Sequence, residues 1–136
     1  MTTTGKYATQ TTVAVESTKA EIERVLRRYG ATSFASGWDT SKAVIQFDIK
    51  ERRIQFTMAM PARSDFATYK DRYNNIKARA ETATDKEGEQ ACRSLWRSLL
   101  LVIKANLEAV EAGIIAFEVA FLPYMMLPNG STVAEH

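Results

Sequence analysis

The chain predicts an α+β fold: an antiparallel sheet of three or more strands packed against two main helices, in the order α-β-β-β-α, with a short helix and hairpin at the C-terminus. Three observations carry this expectation. In the stretch from Ala43 to Pro61, Ile45, Phe47 and Ile49 alternate with Gln46 and Asp48, and after Lys50-Glu51-Arg52 the alternation resumes as Ile54, Phe56, Met58 and Met60. A period of two belongs to strands with one buried and one wet face, so Gln46, Asp48, Arg53, Gln55 and Thr57 are expected on the solvent side. Ahead of it, Ile22, Val25, Leu26 and Tyr29 fall on one helical face. Behind it, Leu95, Leu99, Val102, Ile103, Leu107 and Val110 form a second helical stripe.

Taken in order, residues 1–12 are threonine-rich and read as a flexible segment, or as an edge strand if Thr11–Val15 pairs with the sheet; residues 13–136 read as one domain. Thr18 and Glu21 have the spacing of a capping box, which predicts a helix over 19–29 closed by Gly30. Thr32–Trp38 reads as the first strand, and Asp39-Thr40-Ser41-Lys42 as the turn into the hairpin. Pro61, with no amide hydrogen, suits the strand's end. Residues 62–83 are open between a loop and a short helix. Thr84 with Glu87 repeats the capping-box spacing, so the long helix is expected from about Asp85 to Ala112, with Gly113 as its stop. Phe117 and Phe121 predict a short helix before Pro123, and the Pro-Asn-Gly turn that follows predicts a small hairpin or strand and turn.

At 136 residues the chain is long enough to bury a core without disulfides, and its single cysteine, Cys92, permits no internal one. Cys92 reads as a small packed residue, and Trp38 and Trp96 as buried. The longest apolar run, Leu99–Ile103, is far too short for a membrane span, and the polar N-terminus lacks the apolar core of a secretory signal. The expectation is therefore a cytoplasmic protein with no membrane partner. A net charge of +2 selects no partner by itself.

Catalytic chemistry has little to work with. The sole histidine is His136, at the chain end, there is no cysteine-histidine cluster for a metal, and no glycine-rich phosphate loop occurs. Asp39, Asp48 and Glu51 are the carboxylates an enzyme would draw on, and no paired acid and base is evident. No catalytic residue, metal site or cofactor is expected, and the protein is read as non-enzymatic.

One segment has the composition of an interface. Between residues 62 and 83, Arg63, Lys70, Arg72, Lys77 and Arg79 outnumber Asp65 and Asp71, with Phe66, Tyr69 and Tyr73 interleaved. Such a segment suits nucleic acid, with cations on phosphates and Tyr69 or Tyr73 stacked on bases. Arg52 and Arg53, at the hairpin tip, would extend the patch. The competing reading takes the spacing of Phe66, Tyr69, Tyr73 and Ile76 as helical and buries them in the core.

The element order from Thr18 to Ala112 is similar to that of the double-stranded-RNA-binding domain, but the lysine-rich start of the second helix in that family would fall near Asp85–Gln90, where DKEGEQ is acidic. The segments EIERVLRRYGATSFASGW, RRIQFTMAMP, LVIKANLEAVEAGIIAFE and LPNGSTVAE resemble a group of small uncharacterised bacteriophage and prophage proteins. That resemblance implies a phage accessory protein in the cytoplasm of a host cell, carries over no catalytic residues, and leaves two expectations: nucleic-acid binding, or a protein-interaction module that inhibits a host defence or regulatory protein. A homo-oligomer formed through an exposed edge strand is a third expectation.

Overall fold

In a computed structural model of the chain, residues 2–39 and 41–136 are described, with side chains from Val15 onward. Met1, the side chains of residues 2–14 and Thr40, read above as part of a turn, lie outside the described residues. The elements follow as α1 (Thr2–Arg28), β1 (Ser33–Trp38), β2 (Lys42–Ile49), β3 (Arg52–Ala59), β4 (Thr68–Lys70), β5 (Ile76–Ala78), α2 (Glu81–Glu111) and α3 (Phe117–Phe121). Short 3-10 helices occupy Arg63–Phe66 and Leu122–Tyr124. The α+β architecture expected from the sequence is the one observed.

The central hairpin sets the register. β2 pairs antiparallel with both β1 and β3, so the sheet order is β1-β2-β3. Ala43, Ile45, Phe47 and Ile49 of β2 are buried with Ile54 and Phe56 of β3, as period-two alternation requires. On the opposite face the polar side chains pair across strands: Gln46 Nε2 donates to Gln55 Oε1 at 3.0 Å, and Asp48 accepts from Arg53 Nε at 2.9 Å, Arg53 Nη2 at 3.1 Å and Ser33 Oγ at 2.6 Å. These bonds hold the Asp48 carboxyl below the usual carboxylate range, the Arg53 contact first and the Ser33 hydroxyl second.

The β2–β3 loop has two residues, Lys50 and Glu51, since Ile49 pairs with Arg52. Both have positive φ, 49° and 63°. This is the backbone of a type I′ turn, whose twist matches the strands but which asparagine and glycine enter far more easily than lysine and glutamate. Replacing the pair by Asn-Gly is expected to raise stability by about 1 kcal/mol, a shift of roughly 3 °C in the thermal midpoint measured by circular dichroism. A midpoint lowered by the substitution would mean that the Lys50 or Glu51 side chain makes a contact outweighing the turn strain.

The helices cover the apolar face. Ile22, Val25 and Leu26 of α1 and Trp96, Leu99, Leu100, Ile103 and Leu107 of α2 are buried against the sheet and each other. The two helices run side by side in the same direction: Lys19 lies 5.2 Å from the Trp96 ring centre, Arg97 Nη1 donates to Glu21 Oε1 at 3.1 Å, and Arg24 to Arg28 share a groove with Lys104. Gly30, at φ 101°, and Gly113, at φ 78°, close α1 and α2 where expected.

Both helices start earlier than the sequence suggested. α1 begins at Thr2, so Thr11–Val15 form no edge strand and the segment set apart as residues 1–12 is continuous helical backbone with the rest of α1. Thr18, read as a cap, is buried in mid-helix. α2 begins at Glu81 after an Ala80 N-cap, and Thr84 is likewise interior, its Oγ1 donating to the Ala80 carbonyl at 3.0 Å. A Thr-x-x-Glu spacing is also one helical turn, so it marks a start only when the preceding residues cannot be helical. The Ala-Glu-Thr-Ala run ahead of Thr84 can be.

The C-terminal segment completes the cover of the same apolar face. Phe117 and Phe121 of α3 enter the core, Phe121 meeting Phe47 edge to face at 6.5 Å, and Tyr124 stacks on Phe56 at 4.2 Å. Ile54 then bridges Met125, and the Met126 amide donates to the Arg53 carbonyl at 2.8 Å, which pairs the start of the outer edge of β3. The expected terminal turn is formed by Leu127–Ser131, with Met126 bridging Thr132. No helix among the described residues is long and apolar enough to cross a membrane.

Candidate nucleic-acid interface

The basic and aromatic segment is a short 3-10 helix followed by a hairpin. After the 3-10 helix at Arg63–Phe66, residues 68–78 form a separate two-stranded hairpin in which Thr68 pairs with Ala78, Tyr69 with Lys77 and Lys70 with Ile76. Its turn is built by Asp71, whose Oδ1 accepts from the Tyr73 and Asn75 amides, both at 2.9 Å, while Asn74 takes φ 66°. Of the four side chains that helical spacing would bury, Phe66 is half-buried and the others lie outside the core: Tyr69 is 44% exposed, Tyr73 69% and Ile76 72%.

Strand pairing sorts the predicted residues by face. Tyr69 and Lys77 stand directly opposite each other, and the Arg79 guanidinium lies 5.5 Å from the Tyr69 ring centre. Arg79 also holds the hairpin base, its backbone amide donating to the Ala67 carbonyl at 2.7 Å and its Nη1 to the Phe66 carbonyl at 2.9 Å. Lys70 and Ile76 share the reverse face. Arg72 and Tyr73 form the tip, with the guanidinium 4.9 Å from the ring centre and Nη2 donating to the Tyr73 hydroxyl at 2.9 Å. Lys70, Arg72, Lys77 and Arg79 against Asp71 give residues 68–79 four positive charges to one negative.

The remaining candidates do not join this cluster. Arg63 ion-pairs through Nε with the Asp85 carboxylate, and its Nη2 donates to the Glu81 carbonyl at 3.3 Å, fastening the 3-10 helix to the start of α2. Arg52 and Arg53 were expected to extend the patch, and the structure separates them from it. β3 carries its eight residues, about 25 Å, away from that tip before the chain turns toward β4. Arg53 is moreover held on the open sheet face by Asp48.

Parallel packing of α1 and α2 creates a second arginine-rich surface that the sequence did not disclose, in which Arg27 pairs with Glu23, Arg93 with Glu89 and Arg97 with Glu21. An outer groove of about 510 Å³ is lined by Glu21, Arg24, Val25, Arg27, Arg28 and Lys104, and a neighbouring one of about 450 Å³ by Thr18, Gln90, Arg93, Ser94, Arg97, Ser98 and Leu101. Each helix shows its arginines four apart, at 24 and 28 and at 93 and 97, but only the register between helices brings the two rows together. The groove has no exposed aromatic ring in its lining, unlike the hairpin.

The carboxylates an enzyme would use serve structural roles: Asp39 Oδ1 accepts from the Ser41 and Lys42 amides at 2.8 and 2.9 Å, Asp48 binds Arg53, and Glu51 lies in the tight turn. The Ser41 and Lys42 amides, in that order, lower the Asp39 carboxyl below its ordinary range. Cys92 is buried in α2. Among the described residues no group of three or more histidine, cysteine, aspartate or glutamate side chains is placed to hold a metal ion. No known protein family, curated protein or solved structure matches the chain.

Proposed function

We propose that this chain is a non-enzymatic accessory protein that binds nucleic acid through the β4–β5 hairpin, with unpaired bases as the preferred target. The carrying observation is the pair of exposed rings, Tyr69 and Tyr73, each with an arginine beside it, on a hairpin set apart from the central sheet. Arg72, Lys77 and Arg79, on the tip and face that carry the rings, supply charge for phosphates, with Lys70 behind them on the reverse face, and the rings supply surfaces on which bases stack. Stacking of this kind needs bases free of a duplex, which favours a single strand.

Fluorescence anisotropy with a labelled single-stranded oligonucleotide, repeated across salt concentrations, tests the reading. Affinity is expected to fall steeply with salt, and Arg72→Ala with Lys77→Ala to lower it by about tenfold or more while reducing the salt slope by roughly 1.4, the value for two lost phosphate contacts. Tyr69→Ala with Tyr73→Ala is expected to remove about 1–3 kcal/mol per stacked base. Absent or salt-insensitive binding sinks the proposal, and loss of binding on Arg24→Ala with Arg28→Ala alone moves it to the interhelical groove.

Ile76 favours a second reading, a host protein as partner. It is 72% exposed on the hairpin face opposite Tyr69, where phosphate contact makes no use of it. Copurification of one stoichiometric protein after nuclease treatment, abolished by Ile76→Asp, is the result that would favour it.

A further inference from the structure

Trp38 is the most conspicuous side chain that the fold leaves unused. It pairs with Ala43, a core residue, and so stands on the helix side of the sheet, yet it is 77% exposed. It ends β1, the edge strand whose sequence, SFASGW, contains no charge, proline or bulge. These are the devices by which edge strands discourage pairing with another chain. The opposite edge of the sheet is met at its start, Arg53 and Ile54, by Met125 and Met126.

We propose that β1 is a homodimer interface, pairing antiparallel with β1 of a second copy in a register centred on Ser36. The hydrogen-bond alternation of the strand specifies the register. The Asp39 amide donates to the Lys42 carbonyl at 2.9 Å, so Asp39, Gly37, Ala35 and Ser33 turn their backbone groups toward β2. The amides and carbonyls of Phe34, Ser36 and Trp38 then face outward. In a two-fold pair Ser36 meets Ser36 and Phe34 meets Trp38, and about six hydrogen bonds form with no outward group wasted. Residues directly opposite in a pair lie on the same face, so each Trp38 side chain is delivered to the helix side of the other copy, beside its Phe34.

At that place the structure has a receiving cleft. A space of about 190 Å³ between α1 and β1 is lined by Glu23, Leu26, Arg27, Ala31, Thr32, Ser33 and Phe34. Half-buried Phe34 and the Arg27 stem offer apolar surface, Leu26 being itself fully buried, and the Arg27 guanidinium, paired with Glu23 at 2.7 Å, offers a cation to an indole face. Two indoles contribute about 300–500 Å² of buried surface. With the paired strands this is an interface of the small, transient class, where association is weak and reversible.

Sedimentation velocity on the full chain, from about 1 to 500 µM, tests the interface. A monomer–dimer equilibrium is expected, weakened at least tenfold by Trp38→Ala and, independently, by Ser36→Lys, which sets two like charges opposite each other on the two-fold axis. Both positions are exposed, and thermal melts monitor that each variant is folded. A wild-type chain that stays monomeric throughout the range overturns the proposal. So does a dimer that survives either substitution, since survival of Ser36→Lys would mean a Trp38 contact without strand pairing, and survival of Trp38→Ala an assembly elsewhere.

Discussion

Phe47→Ala is expected to destabilise the fold by about 3–5 kcal/mol, the range for truncating a fully buried phenylalanine. Phe47 is completely inaccessible and is met from three elements: it stacks near Phe56 of β3 at 6.4 Å, meets Phe121 of α3 edge to face at 6.5 Å, and pairs with Phe34 of β1. Its removal leaves a cavity bounded by a sheet on one side and helices on the other, neither of which can move in alone to fill it. Against the 5–15 kcal/mol that stabilises a typical domain, such a loss consumes a large share. Urea unfolding measures it, with Met58→Ala as the comparison, since Met58 lies on the same strand face but is only half-buried. Equal losses at the two positions would contradict the placement of Phe47 at the centre of the core.

The layers around Phe47 are legible in the sequence because their signal is local. Alternation from Ile45 to Met58 places every side chain of β2 and β3 on its correct face, and the apolar stripes of the helices need only a flat apolar surface to pack on. Helix boundaries were harder for the same reason, since a threonine and a glutamate three apart mark a cap or simply one turn of a continuing helix. Trp38 shows the limit of a compositional rule. Tryptophan is usually covered, but a residue on the correct face at the end of an edge strand has nothing from its own chain to cover it.

The candidate interface was legible as composition and illegible as geometry. The spacing of Phe66, Tyr69, Tyr73 and Ile76 mimics a helix, while the decisive cue for a hairpin is the Asp71 turn, in which one carboxylate satisfies two amides four residues apart or closer. Nor does a list of cations say which are already committed. Arg53 finds Asp48 across a turn and Arg63 finds Asp85 on another element, pairings that only the fold creates. The interhelical groove is the converse case, since its arginines sit on two helices separated in sequence by the whole sheet and come together through parallel packing.

Arg63→Ala is the second large effect expected, a loss of about 2 kcal/mol. Asp85 is 9% exposed on α2, and Arg63 reaches it from the 3-10 helix that leads into the hairpin. Removing one member of a buried pair leaves the other charge in a poor solvent, at about 3–5 kcal/mol when both are fully enclosed. Here the arginine is about one-third exposed, so water reaches the pair and the loss is smaller. Asp85→Asn is expected to cost less than Arg63→Ala, since the amide keeps hydrogen-bonding capacity without a stranded charge, and the freed guanidinium can turn to solvent. The double variant then falls short of the sum, which denaturant titration of the four proteins measures. The same series separates anchoring from contact in the proposed interface. If Arg63 anchors the hairpin, Asp85→Asn weakens oligonucleotide binding as Arg63→Ala does, although it removes no positive charge. If Arg63 instead touches phosphate, Asp85→Asn leaves binding intact or strengthens it, and only the arginine variant lowers the salt slope.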